Sequence, residues 1–141
     1  MLVREVVPPD PELARHAVDD GIAAVWNVED GTRRSTIEGE PPAGVVVSPD
    51  GQVAATSGSR GFPVVLRDLR SGAELGSFDA PDGGLDGVTW SPDGSLLVVA
   101  HGEEDGSVVT VLDRSMQVLA QSRYPGQFVS DVSVNADNTR V

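Results

Sequence analysis

The sequence predicts an all-β chain built from repeated units of four antiparallel strands. Three observations carry this. One turn recurs at Pro8-Pro9-Asp10-Pro11, Ser48-Pro49-Asp50-Gly51, Ser91-Pro92-Asp93-Gly94 and Asn135-Ala136-Asp137-Asn138, its aspartates stepping by 40, 43 and 44 residues. Short apolar runs rich in β-branched residues fall around each turn, as strands do. Gly 16 and Pro 10 in 141 residues punctuate the chain too often for long helices. A repeat of this length makes each unit one supersecondary piece that buries its faces only against its neighbours.

The clearest unit spans about 86–124. Gly87-Val88-Thr89-Trp90 leads into the Ser-Pro-Asp-Gly turn, where Pro presets the first central φ and Gly supplies the positive φ that re-enters the next strand. Leu96-Leu97-Val98-Val99-Ala100 follows, then an acidic loop, Glu103-Glu104-Asp105-Gly106. Val108-Val109-Thr110-Val111-Leu112 forms a third strand and Gln117-Val118-Leu119-Ala120-Gln121 a fourth. Unbroken apolar runs predict strands covered on both faces. A second unit, about 44–79, repeats the order with strands at 45–47, 53–56, 63–66 and 74–78. A first unit, about 2–39, has strands at 2–7, 13–18, 22–28 and 33–37. Its segment Leu13-Ala14-Arg15-His16-Ala17 has helical composition, but the flanking repeats assign it to a strand. A fourth unit, about 128–141, has one strand at 128–134, its turn and three more residues.

Four short strands per ~40–45 residues is the signature of a propeller blade. On these residues the chain resembles the WD-repeat family of β-propellers over nearly its whole length, 1–141. The inner turn is Ser-Pro-Asp-Gly, the second loop ends in Asp20-Gly21 or Asp105-Gly106, and the third strand ends in Trp26-Asn27, Arg67-Asp68 or Leu112-Asp113. The phrase from Val108 to Asp113, followed by Val118-Leu119-Ala120, is equally similar to the YVTN type of bacterial propeller. No unit has the Gly-His pair before its first strand, so the family's His-to-Asp bonding network cannot form here. Three blades and a stub make an incomplete ring, since propellers typically have about 4–8 blades. The expectation is part of a longer propeller, with self-association through open blade faces as the other route to closure.

Composition narrows the function. The net charge is −12, which repels nucleic acid and anionic membrane. All ten basic residues are Arg, so a P-loop lysine or Schiff-base lysine is excluded. Cysteine is absent, which excludes disulfides and cysteine-ligated metals. The longest aliphatic stretch, 96–100, is far short of a membrane span, and the first residues carry no apolar leader. These features predict a soluble, cytoplasmic protein.

No catalytic constellation stands out. His16 and His101 fall near the ends of second strands without a Gly-x-Ser-x-Gly elbow, and read as edge-of-strand histidines. Asp79, Asp82 and Asp86, and separately Glu103-Glu104-Asp105, offer the oxygen ligands that calcium prefers, at a spacing that fits no EF-hand. They read as solvated carboxylates, with no metal and no cofactor expected. Asp50 and Asp93 recur with the turn and read as its caps. Trp26 and Trp90 read as packing between blades.

The resemblance implies a non-catalytic scaffold for protein–protein interaction, such as bacterial signalling and regulatory proteins carry. The alternative is a ligand-binding or enzymatic propeller of lactonase or quinoprotein type, with its site in blades this sequence lacks. The candidate partner-binding face gathers Asp19, Asp20, Glu103, Glu104 and Asp105 from second-to-third-strand loops. Asp79, Asp82 and Asp86 join it from the loops between blades, with Phe62 and Tyr124 as apolar anchors. With Glu38 and Glu40, ten carboxylates face only Arg60 in these loops, whereas Arg33, Arg34, Arg70 and Arg114 lie at the opposite end. A basic protein segment is the predicted partner.

Overall fold

In the computed structural model, residues 2–3, 23–26, 30–37, 44–57, 63–80 and 85–141 are described. They form eleven strands in three antiparallel sheets. The first sheet has β1 (Leu2–Val3), β2 (Ala23–Trp26) and β3 (Arg33–Ile37). The second is a meander of β4 (Gly44–Val47), β5 (Val53–Ser57), β6 (Val64–Asp68) and β7 (Glu74–Phe78). The third repeats it with β8 (Leu85–Trp90), β9 (Leu96–Glu103), β10 (Gly106–Asp113) and β11 (Val118–Pro125). The two four-stranded sheets follow the expected strand order, and no helix occurs among the described residues.

The first sheet departs from expectation. β1 pairs directly with β2, Leu2 opposite Trp26 and Val3 opposite Val25, so no strand intervenes between them. The expected strand at 13–18 lies outside the described residues, as do the turn at 8–11 and His16. Successive sheets touch through their first strands, β1 against β4 and β4 against β8. Among the described residues the sheets close no ring.

Sheet packing follows from alternation along the central strands. Val53, Ala55, Val64 and Leu66 of the second sheet meet Trp90, Leu97, Val99, Leu112 and Met116 of the third. The intervening residues serve the other faces, Ala54 with Val45, Val47 and Leu69 on one sheet, Val98, Ala100 and Val109 on the next. That two-sided burial is why these strands read as continuous apolar runs. β11 is different, with all eight residues exposed.

The segment 128–134, expected as a strand, forms no ladder with any strand among the described residues. It still docks. Val129, Val132 and Val134 cover Val98, Ala100 and Val109, and the Val129 amide donates to Ser107 Oγ at 3.0 Å. Val132 approaches so closely that a Cβ on Gly87 would stand 3.3 Å from its Cγ2. The turn after it forms as its two predecessors do. Ser48 N donates to Val53 O, Ser91 N to Leu96 O and Asn135 N to Arg140 O, at 2.9, 2.9 and 3.1 Å.

Candidate interaction surface

Antiparallel meanders sort the connections between two ends. One end collects the first-to-second and third-to-fourth strand turns, and aspartates organise those of the second and third sheets and the turn after 128–134. Asp50 Oδ1 accepts from Ser48 Oγ at 2.5 Å and Gln52 N at 3.1 Å. Asp93 Oδ1 accepts from Ser91 Oγ, Ser95 N and Ser95 Oγ at 2.7, 2.9 and 2.8 Å. Asp137 accepts from Thr139 N and Oγ1. In the third-to-fourth turns, Asp68 accepts from Ser71 N and Oγ, and Asp113 from Ser115 N and Gln117 N. The capping role read for Asp50 and Asp93 is thus observed, and the residues matching the Trp-Asp position cap turns as well.

These bonds set the carboxylates' electrostatics. Asp50 is lowered from 3.8 to about 2, first by the Arg114 guanidinium, then by the Ser48 hydroxyl and the Gln52 amide. Asp93 is held well below the carboxylate range by the Ser91 hydroxyl and the Ser95 amide and hydroxyl, with a lesser part from Asn138 of the next turn. Asp68 and Asp137 are lowered by the hydroxyl and amide of Ser71 and Thr139. Stabilised anions that are fully used by their own turns are scaffolding groups.

Neighbouring turns also touch one another. Arg114, at the β10–β11 turn, donates to Asp50 Oδ2 of the preceding sheet at 2.7 Å, its guanidinium 5.9 Å from the centre of the Trp90 ring. Trp90 Nε1 donates to Val46 O at 3.1 Å, a bond between sheets. This bears out the core role read for Trp90; the Trp26 side chain lies outside the described residues. Sequence analysis missed the Asp50–Arg114 link, because a contact between residues 64 apart depends on how one sheet is turned against the next.

The other end carries the acidic candidates. Glu104 and Asp105 form the two-residue β9–β10 turn, and Asp79 follows β7; all three are exposed. Two candidates expected in loops belong to strands instead. Asp86 is the second residue of β8 and exposed, and Glu103 ends β9, half-buried opposite Gly106. The strands run further than expected because Gly106, at φ 152°, closes a tight turn in which any Cβ would stand 2.2 Å from Tyr124 O. Tyr124 lies on β11 opposite Ser107 and is 39% exposed. The acidic end is not without cations, since Arg123 of β11 forms an ion pair with Glu103. Asp19, Asp20, Phe62 and Asp82, with Glu38, Glu40 and Arg60, lie outside the described residues.

His101 corrects another expectation. It is fully buried within β9, opposite Leu85 and Val108, its ring 6.2 Å from that of Phe78, and neither ring nitrogen has a partner. A second strand three residues longer than expected draws it from the edge into the packing between sheets. No three His, Asp or Glu side chains gather into a metal-holding group among the described residues. No helix among the described residues is long and apolar enough to cross a membrane.

No family model matches this sequence, and no curated protein is similar to it.

Proposed function

We propose that this chain is a β-propeller module of the WD-repeat or YVTN-like kind, acting as a non-catalytic scaffold that binds a protein partner in the cytoplasm. The observation that carries the propeller reading is the repeat in three dimensions. Two four-stranded meanders stack face to face with first strands side by side, and 128–134 with its turn occupies the same place on the next sheet. On this reading 128–134 is the first strand of a fourth blade.

The scaffold role is supported by where the polar chemistry goes. The turn-end aspartates are consumed by capping and by Arg114, which leaves the opposite end to meet a partner. At that end Asp79, Asp86, Glu104 and Asp105 stand exposed, and Tyr124 is 39% exposed. This surface suits a basic peptide segment. Carboxylates steer such a segment over about a Debye length, ~8 Å at physiological salt.

The test is direct titration with arginine-rich peptides at two salt concentrations. Glu104→Lys with Asp105→Lys is expected to abolish binding, while Arg70→Glu at the other end leaves it unchanged. Equal affinities for the two variants would make the acidic end only a solvated surface. Glu103 is left intact because its ion pair with Arg123 ties β9 to β11.

A further inference from the structure

The last strand of each sheet is an outer edge, the first strands being packed against the neighbouring sheets, and these three outer edges are not equally protected. Proteins blunt exposed edges with charge, bulges, brevity or proline, because an open row of N–H and C=O groups is a template for pairing. All three last strands bulge at equivalent places, leaving Arg34, Leu75 and Leu119 without a partner on the neighbouring strand. β3 also carries Arg33 beside its bulge, and β7 carries Glu74 and is only five residues long. β11 has eight exposed residues and no charge before Arg123.

We propose that the edge of β11 pairs with β11 of a second copy of this chain, about a two-fold axis at Ser122. The Leu119 bulge closes the pairing stretch on one side, and Pro125, which has no N–H, closes it on the other. The stretch left between them is Ala120 to Tyr124, with Ser122 at its middle. An antiparallel two-fold pairing that uses all of it places Ser122 opposite itself. Gln121 then lies opposite Arg123 of the second copy, and Ala120 opposite Tyr124 of the second copy. Polar meets polar on one face and a small residue meets an aromatic on the other. No two arginines and no acidic residues oppose one another. A chain of net charge −12 resists self-association over most of its surface, and this edge is where that repulsion is locally absent. The product is a continuous eight-stranded sheet with an isologous interface.

The chain has no cysteine, so single cysteines report the register. Either kind of antiparallel pair brings opposed Cα atoms to about 4.5–5.5 Å, within disulfide reach. Ser122→Cys is expected to cross-link two chains under mild oxidation. Ala120→Cys is not, because its two copies stand roughly 13 Å apart along the strands. In sedimentation, Ser122→Lys and Ser122→Glu should each weaken dimerisation by at least about tenfold, a change easily resolved in Kd. Mixing the two variants should restore it, which also shows that both are folded. The proposal fails if the chain sediments as a monomer at every concentration. It fails equally if Ala120→Cys cross-links as fast as Ser122→Cys, or if either charged variant dimerises like the unaltered chain.

Discussion

Gly51, Gly94 and Asn138 hold φ of 65°, 71° and 58° at one position of three successive turns. In that region a Cβ crowds the backbone, and a β-branched side chain fits worst. Gly51→Val is therefore expected to cost about 1–2 kcal/mol in chemical denaturation. Gly94→Val should cost more, because Gly94 is buried and its Cβ would stand 3.2 Å from Pro49 Cδ of the preceding turn. Asn138→Gly, which relieves a Cβ at φ 58° on a half-buried residue, should be neutral or stabilising. Equal costs for both glycine variants would remove the turn-to-turn contact from the account. The positive φ was legible in the sequence, because Ser-Pro-Asp-Gly demands it locally. The Pro49–Gly94 contact was not, since it joins residues 45 positions apart. His101 was misread for a related reason: its burial follows from the length of β9, which depends on the Gly106 turn beyond it.

At the scale of the turn and the strand, the capping aspartates make stability depend on acid. Asp50, Asp68, Asp93 and Asp137 have folded-state values below their ordinary ones. The unfolded chain therefore binds protons first as pH falls, so the caps' contribution is complete well above the ordinary carboxylate value and is lost progressively as pH falls below it, the Asp93 share last. The melting temperature should hold steady from neutrality to mild acid and drop steeply below. Asp50→Asn with Asp93→Asn should lower the melting temperature at neutral pH and flatten the acid limb. An unchanged acid limb in that variant would show that other carboxylates govern acid unfolding. Strand positions in the second and third sheets were largely legible, because β-branched runs bounded by Gly, Pro and Asp leave few alternatives. The bulges at Arg34, Leu75 and Leu119 were not. They are adjustments of a fourth strand to a third, and no residue there announces them.

Across the molecule, protection should follow how many faces of a strand are covered. β9 and β10 lie inside their sheet, with buried residues on both faces, whereas β11 is exposed throughout. Hydrogen exchange at concentrations low enough to keep the chain monomeric should therefore be slowest in β9 and β10, intermediate in β5 and β6, and fast in the outward-facing amides of β11, which should gain protection as concentration rises and the β11 edges pair. Val132→Asp should expose Val98 and Ala100 and speed exchange in β9 without unfolding the second sheet. Exchange at one uniform rate would mean the sheets open together rather than as neighbouring units. What the sequence by itself determined is what neighbours along the chain decide: the all-β class, the four-strand meander, the turns and their caps, and two-sided burial of the central strands. The tertiary structure alone decided the direct pairing of β1 with β2, the Asp50–Arg114 and Trp90–Val46 links, the neutralising of Glu103 by Arg123 and the docking of 128–134. Each of these depends on the rotation of one sheet against the next or on which strand reaches another first. A repeat spacing of 43 or 44 residues fixes the unit but not that geometry.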